Sequence, residues 1–193
     1  MKILVTGSSG FIGFHLVKKL LNHGHDVVGI DDHNDYYNPY LKFERLALIE
    51  SKKFSFHLMD INNISLKDKN FDLAINLAAQ AGVRVSNDKD YLYESTNNQG
   101  FKSFCDFCIR NNINKILYAS SSSVYSDKNE EKFSEDRTLL KPKSKYGRSK
   151  LCNEIYASQI VKLNNLSMVG LRYFSVYGPF GRPDMAYYSF TKA

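Results

Sequence analysis

Tyr146-Gly-Arg-Ser-Lys150 places a phenol and an ammonium four residues apart. On a helix, positions i and i+4 share one face, so the two side chains can act on the same group. An ammonium held near a phenol lowers the phenol's pKa. Such a tyrosine can remove a proton from a hydroxyl near neutral pH. Upstream runs Ala119-Ser-Ser-Ser-Ser-Val-Tyr125, where a serine hydroxyl can hold the same substrate oxygen and shuttle the proton.

A second cluster lies at the start of the chain. Gly7-Ser-Ser-Gly10-Phe-Ile-Gly13 directly follows an apolar run and opens an amphipathic one. Glycine at 7 and 10 lets the backbone turn tightly and approach a diphosphate, and glycine at 13 lets a helix pack closely on a strand. The helix N-terminus adds free N–H groups and a positive dipole end. Asp31 closes the next apolar run, where a carboxylate accepts hydrogen bonds from ribose hydroxyls and repels a 2′-phosphate. No arginine sits beside it in sequence, so the spacing favours NAD over NADP.

These groups need a scaffold that brings strand ends together. Apolar runs predict strands over Lys2 to Thr6, Asp26 to Asp31, Phe54 to Met59, Leu73 to Leu77, Lys115 to Ser120 and Ser167 to Leu171. Helical spacing predicts helices over Phe11 to Asn22, Pro39 to Ser51, Asp90 to Asn111 and Ser144 to Leu163, with Ile12, Leu16 and Leu20 lining one face of the first. Nearly continuous apolar strands alternating with helices imply a parallel sheet covered on both faces, the doubly wound α/β (Rossmann) class. Ser126 to Pro142, rich in Lys, Glu, Asp and Ser, reads as the one flexible stretch.

Composition removes several other classes. The chain has 193 residues, 43% hydrophobic and 24% charged, which suits a globular domain with a real core. No apolar run approaches the ~18 residues of a membrane span, and the opening Met1-Lys2-Ile3 enters a strand rather than a leader. The net charge of +6 is scattered among acids, which argues against nucleic-acid binding. Cys105 and Cys108 are spaced CxxC inside a helix and Cys152 stands apart, so they read as ordinary thiols rather than as metal ligands. A cytoplasmic protein with no metal is the expectation.

The combination of Gly7/Gly10/Gly13, Asp31, Leu77-Ala-Ala-Gln80, Ser121 with Tyr146 and Lys150, and Leu171-Arg-Tyr-Phe-Ser-Val-Tyr-Gly-Pro179 resembles the extended short-chain dehydrogenases/reductases, the NAD-dependent epimerase/dehydratase family. Asp31-Asp-His-Asn-Asp-Tyr-Tyr37, Ala78-Ala-Gln-Ala-Gly-Val-Arg84 and Tyr177-Gly-Pro-Phe-Gly-Arg-Pro-Asp-Met185 are similar to UDP-glucuronate 4-epimerases. The resemblance implies that Ser121, Tyr146 and Lys150 are catalytic. It places Gly7, Gly10, Phe11, Ile12, Gly13, Asp31, Asp60 and Ile61 on the adenosine half of NAD. It places Ala78, Ala79, Gln80 and Asn97 at the cofactor's centre and Phe174 at the nicotinamide end. Arg84, Ser122, Ser123, Ser175 and Arg182 are the candidates for the substrate's anionic groups. It also implies an NAD-binding Rossmann domain over 1–175, with 176–193 beginning a substrate-binding region largely beyond this N-terminal fragment.

The implied reaction is transient oxidation of a UDP-sugar at C4 followed by re-reduction. Ser122 and Ser123 stand where related dehydratases and decarboxylases carry acids, which disfavours elimination and favours epimerisation of UDP-glucuronate. Another UDP-sugar epimerase or dehydratase, or a catalytically silent NAD-binding fragment, remain as alternatives. The family commonly dimerises through the helices at 90–111 and 144–163, so a homodimer is a further expectation.

Overall fold

The computed structural model describes residues 1–82, 90–125, 133–136 and 140–192. Six strands form one sheet: β1 (Lys2–Thr6), β2 (Asp26–Asp31), β3 (Phe54–Leu58), β4 (Leu73–Asn76), β5 (Lys115–Ser121) and β6 (Ser167–Tyr173). All pairings are parallel, and the order is β3-β2-β1-β4-β5-β6. The direction of winding reverses between β1 and β4, the place where doubly wound sheets open a crevice at their carboxyl ends. The helices are α1 (Phe11–Asn22), α2 (Tyr40–Ala47), α3 (Gly100–Arg110), α4 (Lys145–Asn164) and α5 (Ala186–Lys192).

Alternation along β1 explains both layers. Ile3 and Val5 join Val17, Val27 and Ile75 on the α1 side. Leu4 points the other way, into a cluster with Phe101, Phe104, Cys105, Cys108 and Ile160 from α3 and α4. Cys105 and Cys108 are therefore core residues, and Cys152 is exposed. Among the described residues no three His, Cys, Asp or Glu side chains gather to hold a metal. Among the same residues no helix is long and apolar enough to cross a membrane.

Four expectations need correcting. On α1 Leu16 and Leu20 pack half-buried against the core as expected, but the fully buried stripe is Phe11, Gly13, Phe14 and Val17. The contact face is set by Gly13, whose bare Cα rides on the turn at Gly7. Burial on both faces holds for the inner strands but not the edges: β3 and β6 are largely exposed, including Val169 and Leu171. The helix expected from 90 to 111 contains a π-helical stretch, Tyr93–Gln99, before α3. The fourth is α5, which was not anticipated. Most of the Ser126 to Pro142 stretch lies outside the described residues.

Candidate active site

The turn after β1 is built around atoms that leave no room for side chains. Gly7 has φ +67°, and a Cβ there would lie 2.7 Å from the Ala78 amide nitrogen. A Cβ on Gly13 would lie 2.0 Å from the Gly7 carbonyl oxygen. Gly10 caps α1 without a side chain, so the first amides of the helix face the cleft with no intrahelical acceptor. Thr6 fastens the two central strands: its hydroxyl donates to Asn76 and accepts from the Ala78 N–H at 3.1 Å. The result is a concave, electropositive cradle suited to a diphosphate.

The cleft it opens has a volume of about 580 Å³ and runs along the carboxyl ends of the strands. Gly7, Gly10, Phe11, Ile12, Gly13, Asp31 and Ile61 line one end, and Ala78, Ala79 and Gln80 the middle. Ser121, Ser122, Ser123, Tyr146, Lys150, Phe174, Ser175 and Arg182 line the rest. Two expected residues stand behind the wall. The Asp60 carboxylate accepts from the Asn62 N–H at 2.8 Å and caps a short 3-10 turn. Asn97 is 1% exposed and grips the Gln80 backbone from both sides, accepting its N–H at 2.7 Å and donating to its carbonyl at 3.1 Å. Arg84 lies outside the described residues.

At the Asp31 end of the cleft the structure adds groups that sequence reasoning missed. Asp31 Oδ1 accepts from the His33 N–H at 3.0 Å and from Lys42 Nζ at 3.1 Å. A cation therefore does stand beside Asp31, delivered by α2 rather than by a sequence neighbour. Arg45, one turn on, is 1% exposed. It donates to the Ser9 carbonyl at 3.2 Å, the Tyr37 hydroxyl at 2.7 Å and the Phe180 carbonyl at 2.9 Å. Helix α2 is inverted: Lys42 and Arg45 are buried, while Tyr40 and Phe43 face solvent. Charged residues three apart on a short helix between the glycine turn and β3 were the available signal.

At the other end, α4 carries Tyr146 and Lys150. Ser144 caps it by accepting the Gly147 N–H at 2.9 Å. A Cβ on Gly147 would lie 2.3 Å from the Ser123 carbonyl oxygen, so glycine inside the Tyr146–Lys150 spacing seats the helix against the serine run. Lys150 is wholly buried and donates to the Ala119 carbonyl at 2.9 Å. Burial pushes its pKa down to about 8. The Tyr146 pKa is raised by burial, against the lowering pull of a hydrogen bond with Ser121 and of the Arg182 charge. Lys150 is not among the groups that lower it. The ammonium is turned to the Ala119 carbonyl, 5.9 Å from the ring centroid, and desolvation outweighs the other influences.

The segment after β6 folds back over the cleft. Pro179 is held through its carbonyl by His15 Nε2 at 2.9 Å, and the Phe180 ring meets Phe14 edge-on. This carries Arg182 toward Tyr146, but the guanidinium is already paired with Asp184, with Nε at 3.0 Å. Tyr36 donates to the same carboxylate at 3.1 Å. Burial, followed by the neighbouring Asp184 charge, pushes the Tyr36 phenol up to about 12.

The family described as NAD dependent epimerase/dehydratase matches residues 3–192. Protein CapI of Staphylococcus aureus is 44% identical over all of this chain, which spans 59% of that protein. UDP-glucuronate 4-epimerase 4 of Arabidopsis thaliana is 41% identical over 98% of the chain, which spans 45% of that relative. A crystal structure of UDP-glucuronic acid 4-epimerase from Bacillus cereus, in complex with UDP-glucuronic acid and NAD, superposes with a TM-score of 0.87 at 38% identity. That match covers 97% of this chain and 61% of the other.

Proposed function

This chain belongs to the NAD dependent epimerase/dehydratase family, and we propose that it is the dinucleotide-holding part of an enzyme that inverts C4 of UDP-glucuronate. In that reading residues 1–175 are the dinucleotide half and 176–193 begin the region that meets the sugar nucleotide. The observation that carries it is that Ser121, Tyr146 and the buried Lys150 open together into the cleft that begins at the glycine cradle.

The cradle fits NAD. Gly7 and Gly10 leave space for the diphosphate, and the first amides of α1 point at it. Asp31 Oδ2 accepts no hydrogen bond from a described residue and suits ribose hydroxyls. When bound, NAD supplies the acceptor and donor of a hydride at its nicotinamide. The chain's own residues handle the proton: Tyr146, whose phenolate a bound positive nicotinamide ring would favour against the effect of burial, takes it from the C4 hydroxyl and returns it, Ser121 holds the same oxygen, and Lys150 would hold the nicotinamide ribose. Ser122, Ser123 and Ser175, with Arg182, take the uronate and phosphate oxygens.

Epimerisation rather than elimination is supported by where the acids stand. Among the described residues the carboxylates lining the cleft are Asp31 and Asp32, beside Lys42, and Asp184, bonded to Arg182. Next to Ser121 in the chain the lining offers Ser122 and Ser123, whose aliphatic hydroxyls do not serve as acids near neutral pH. The full-length protein is therefore expected to interconvert UDP-glucuronate and its C4 epimer without net accumulation of NADH. Tyr146→Phe is expected to reduce turnover by roughly 10²–10⁴-fold. A UDP-pentose as main product, or turnover indifferent to Tyr146→Phe, overturns the proposal.

A further inference from the structure

The ion pair between Asp31 and Lys42 lies in the wall of the cleft, and each side chain is only 6% exposed. Lys42 Nζ is 3.1 Å from Asp31 Oδ1 and 3.8 Å from Asp32 Oδ1, and it stands 5.7 Å from the centroid of the Tyr37 ring. Of its three N–H donors, one is spent on Asp31. Asp32 is the more distant partner, and its Oδ1 also accepts from the Asn34 backbone and side chain at 3.1 and 3.0 Å. The corner where an adenosine ribose meets Asp31 thus holds a buried cation whose charge the Asp31 carboxylate masks.

We propose that Lys42 is a masked phosphate-binding cation. Its pairing with Asp31 sets the preference for a free ribose 2′-hydroxyl, and loss of the Asp31 carboxylate turns this corner into a 2′-phosphate site with Lys42 as counter-ion. The inference rests on the reading that the cleft holds a dinucleotide with its adenosine at Asp31. The physical basis is that a buried ammonium stripped of its partner is strongly unfavourable, and an incoming phosphate removes that penalty. An ammonium–phosphate contact is a charge-assisted hydrogen bond, worth roughly ten- to a hundredfold in affinity.

The test is calorimetric titration of NAD and NADP into the full-length protein, its Asp31→Ser and Asp31→Asn variants, and each of these combined with Lys42→Met. Asp31→Ser or Asp31→Asn is expected to weaken NAD binding and to tighten NADP binding at least tenfold. Adding Lys42→Met is expected to remove that NADP gain while leaving NAD affinity near that of the single variant. Thermal melts identify which of the two Asp31 variants is folded and is to be compared. A wild type that binds no NAD overturns the reading of the cleft and this inference with it. A wild type that binds NAD, with no NADP gain in either variant or a gain that survives Lys42→Met, overturns this inference alone.

Discussion

Replacing Lys150 by methionine keeps the length of the side chain and removes its charge, so it measures what the site costs the fold. Lys150 is wholly buried, and burial lowers its pKa from 10.5 to about 8. At ~1.4 kcal/mol for each tenfold in the protonation equilibrium, the charged form carries a penalty of about 3 kcal/mol. Methionine strands the Ala119 carbonyl that Lys150 satisfies at 2.9 Å, which costs about 1–2 kcal/mol. The variant is therefore expected to be more stable than the wild type at pH 7 by roughly 1–2 kcal/mol, a Tm gain of about 2–8 °C for a domain of this size. Below about pH 8 the lysine is protonated in both folded and unfolded chains, and the penalty is complete. Between about 8 and 10.5 the unfolded chain retains a proton that the folded chain has shed, so wild-type stability rises with pH relative to the variant. By pH 10.5 the order is expected to reverse, leaving only the stranded carbonyl. Urea unfolding of both proteins from pH 6 to 10.5, without added dinucleotide, reads this directly. A variant less stable at pH 7, or a difference that is flat between pH 8 and 10.5, refutes the reasoning.

Three further outcomes follow from individual contacts. Gly13→Ala drives a Cβ to within 2.0 Å of the Gly7 carbonyl oxygen, so the turn must open; dinucleotide affinity by calorimetry is expected to fall at least ~100-fold, with about 1–3 kcal/mol of stability. Arg45→Met removes the donors to Ser9, Tyr37 and Phe180 and is expected to cost about 2–4 kcal/mol in urea unfolding. Arg45→Lys should recover less than half of that, because a point charge cannot span the same acceptors. Asn97→Ala releases both polar groups of the Gln80 backbone; it is expected to cost about 2 kcal/mol and, in the full-length protein, to lower kcat more than it raises KM.

The strands and their parallel direction were legible because inner strands must be apolar on both faces, and Leu4 and Val5 show this by packing into opposite clusters. The glycine turn was legible because only glycine survives at positions 7 and 13, where backbone atoms crowd the missing Cβ. Helix α2 was not. Periodicity assigns charged residues to the solvent side, and here Lys42 and Arg45 face inward while Phe43 faces out. Their partners lie at Asp31, Ser9 and Phe180, at separations that no local pattern encodes. Asn97 illustrates the same limit. Its residue type announced hydrogen bonding, but its donors and acceptors go to the Gln80 backbone and Ser149, which sequence cannot distinguish from lining the cleft.

Helix α4 shows why the missing information concentrates at the candidate site. Its buried face changes character along its length: Gly147, Ser149, Lys150 and Asn153 in the first half, Ala157 and Ile160 in the second. The second half packs the core. The first half is fixed by polar bonds from separate elements. Ser149 accepts from Asn97 at 3.0 Å. Lys150 is bonded to β5 at Ala119. Glu154 accepts from Ser120 on β5 and pairs bidentately with Arg172 on β6, at 2.9 and 2.8 Å. Each bond is directional, so together they restrict rotation and sliding of the turn carrying Tyr146 far more than apolar contacts would. Their net contribution to stability is smaller than that of apolar groups of equal size, and for Lys150 it is unfavourable. A helix selected for packing alone would carry methionine or leucine at 150. That this one keeps a buried ammonium means the position of a charge, rather than the stability of the fold, decides the residue there.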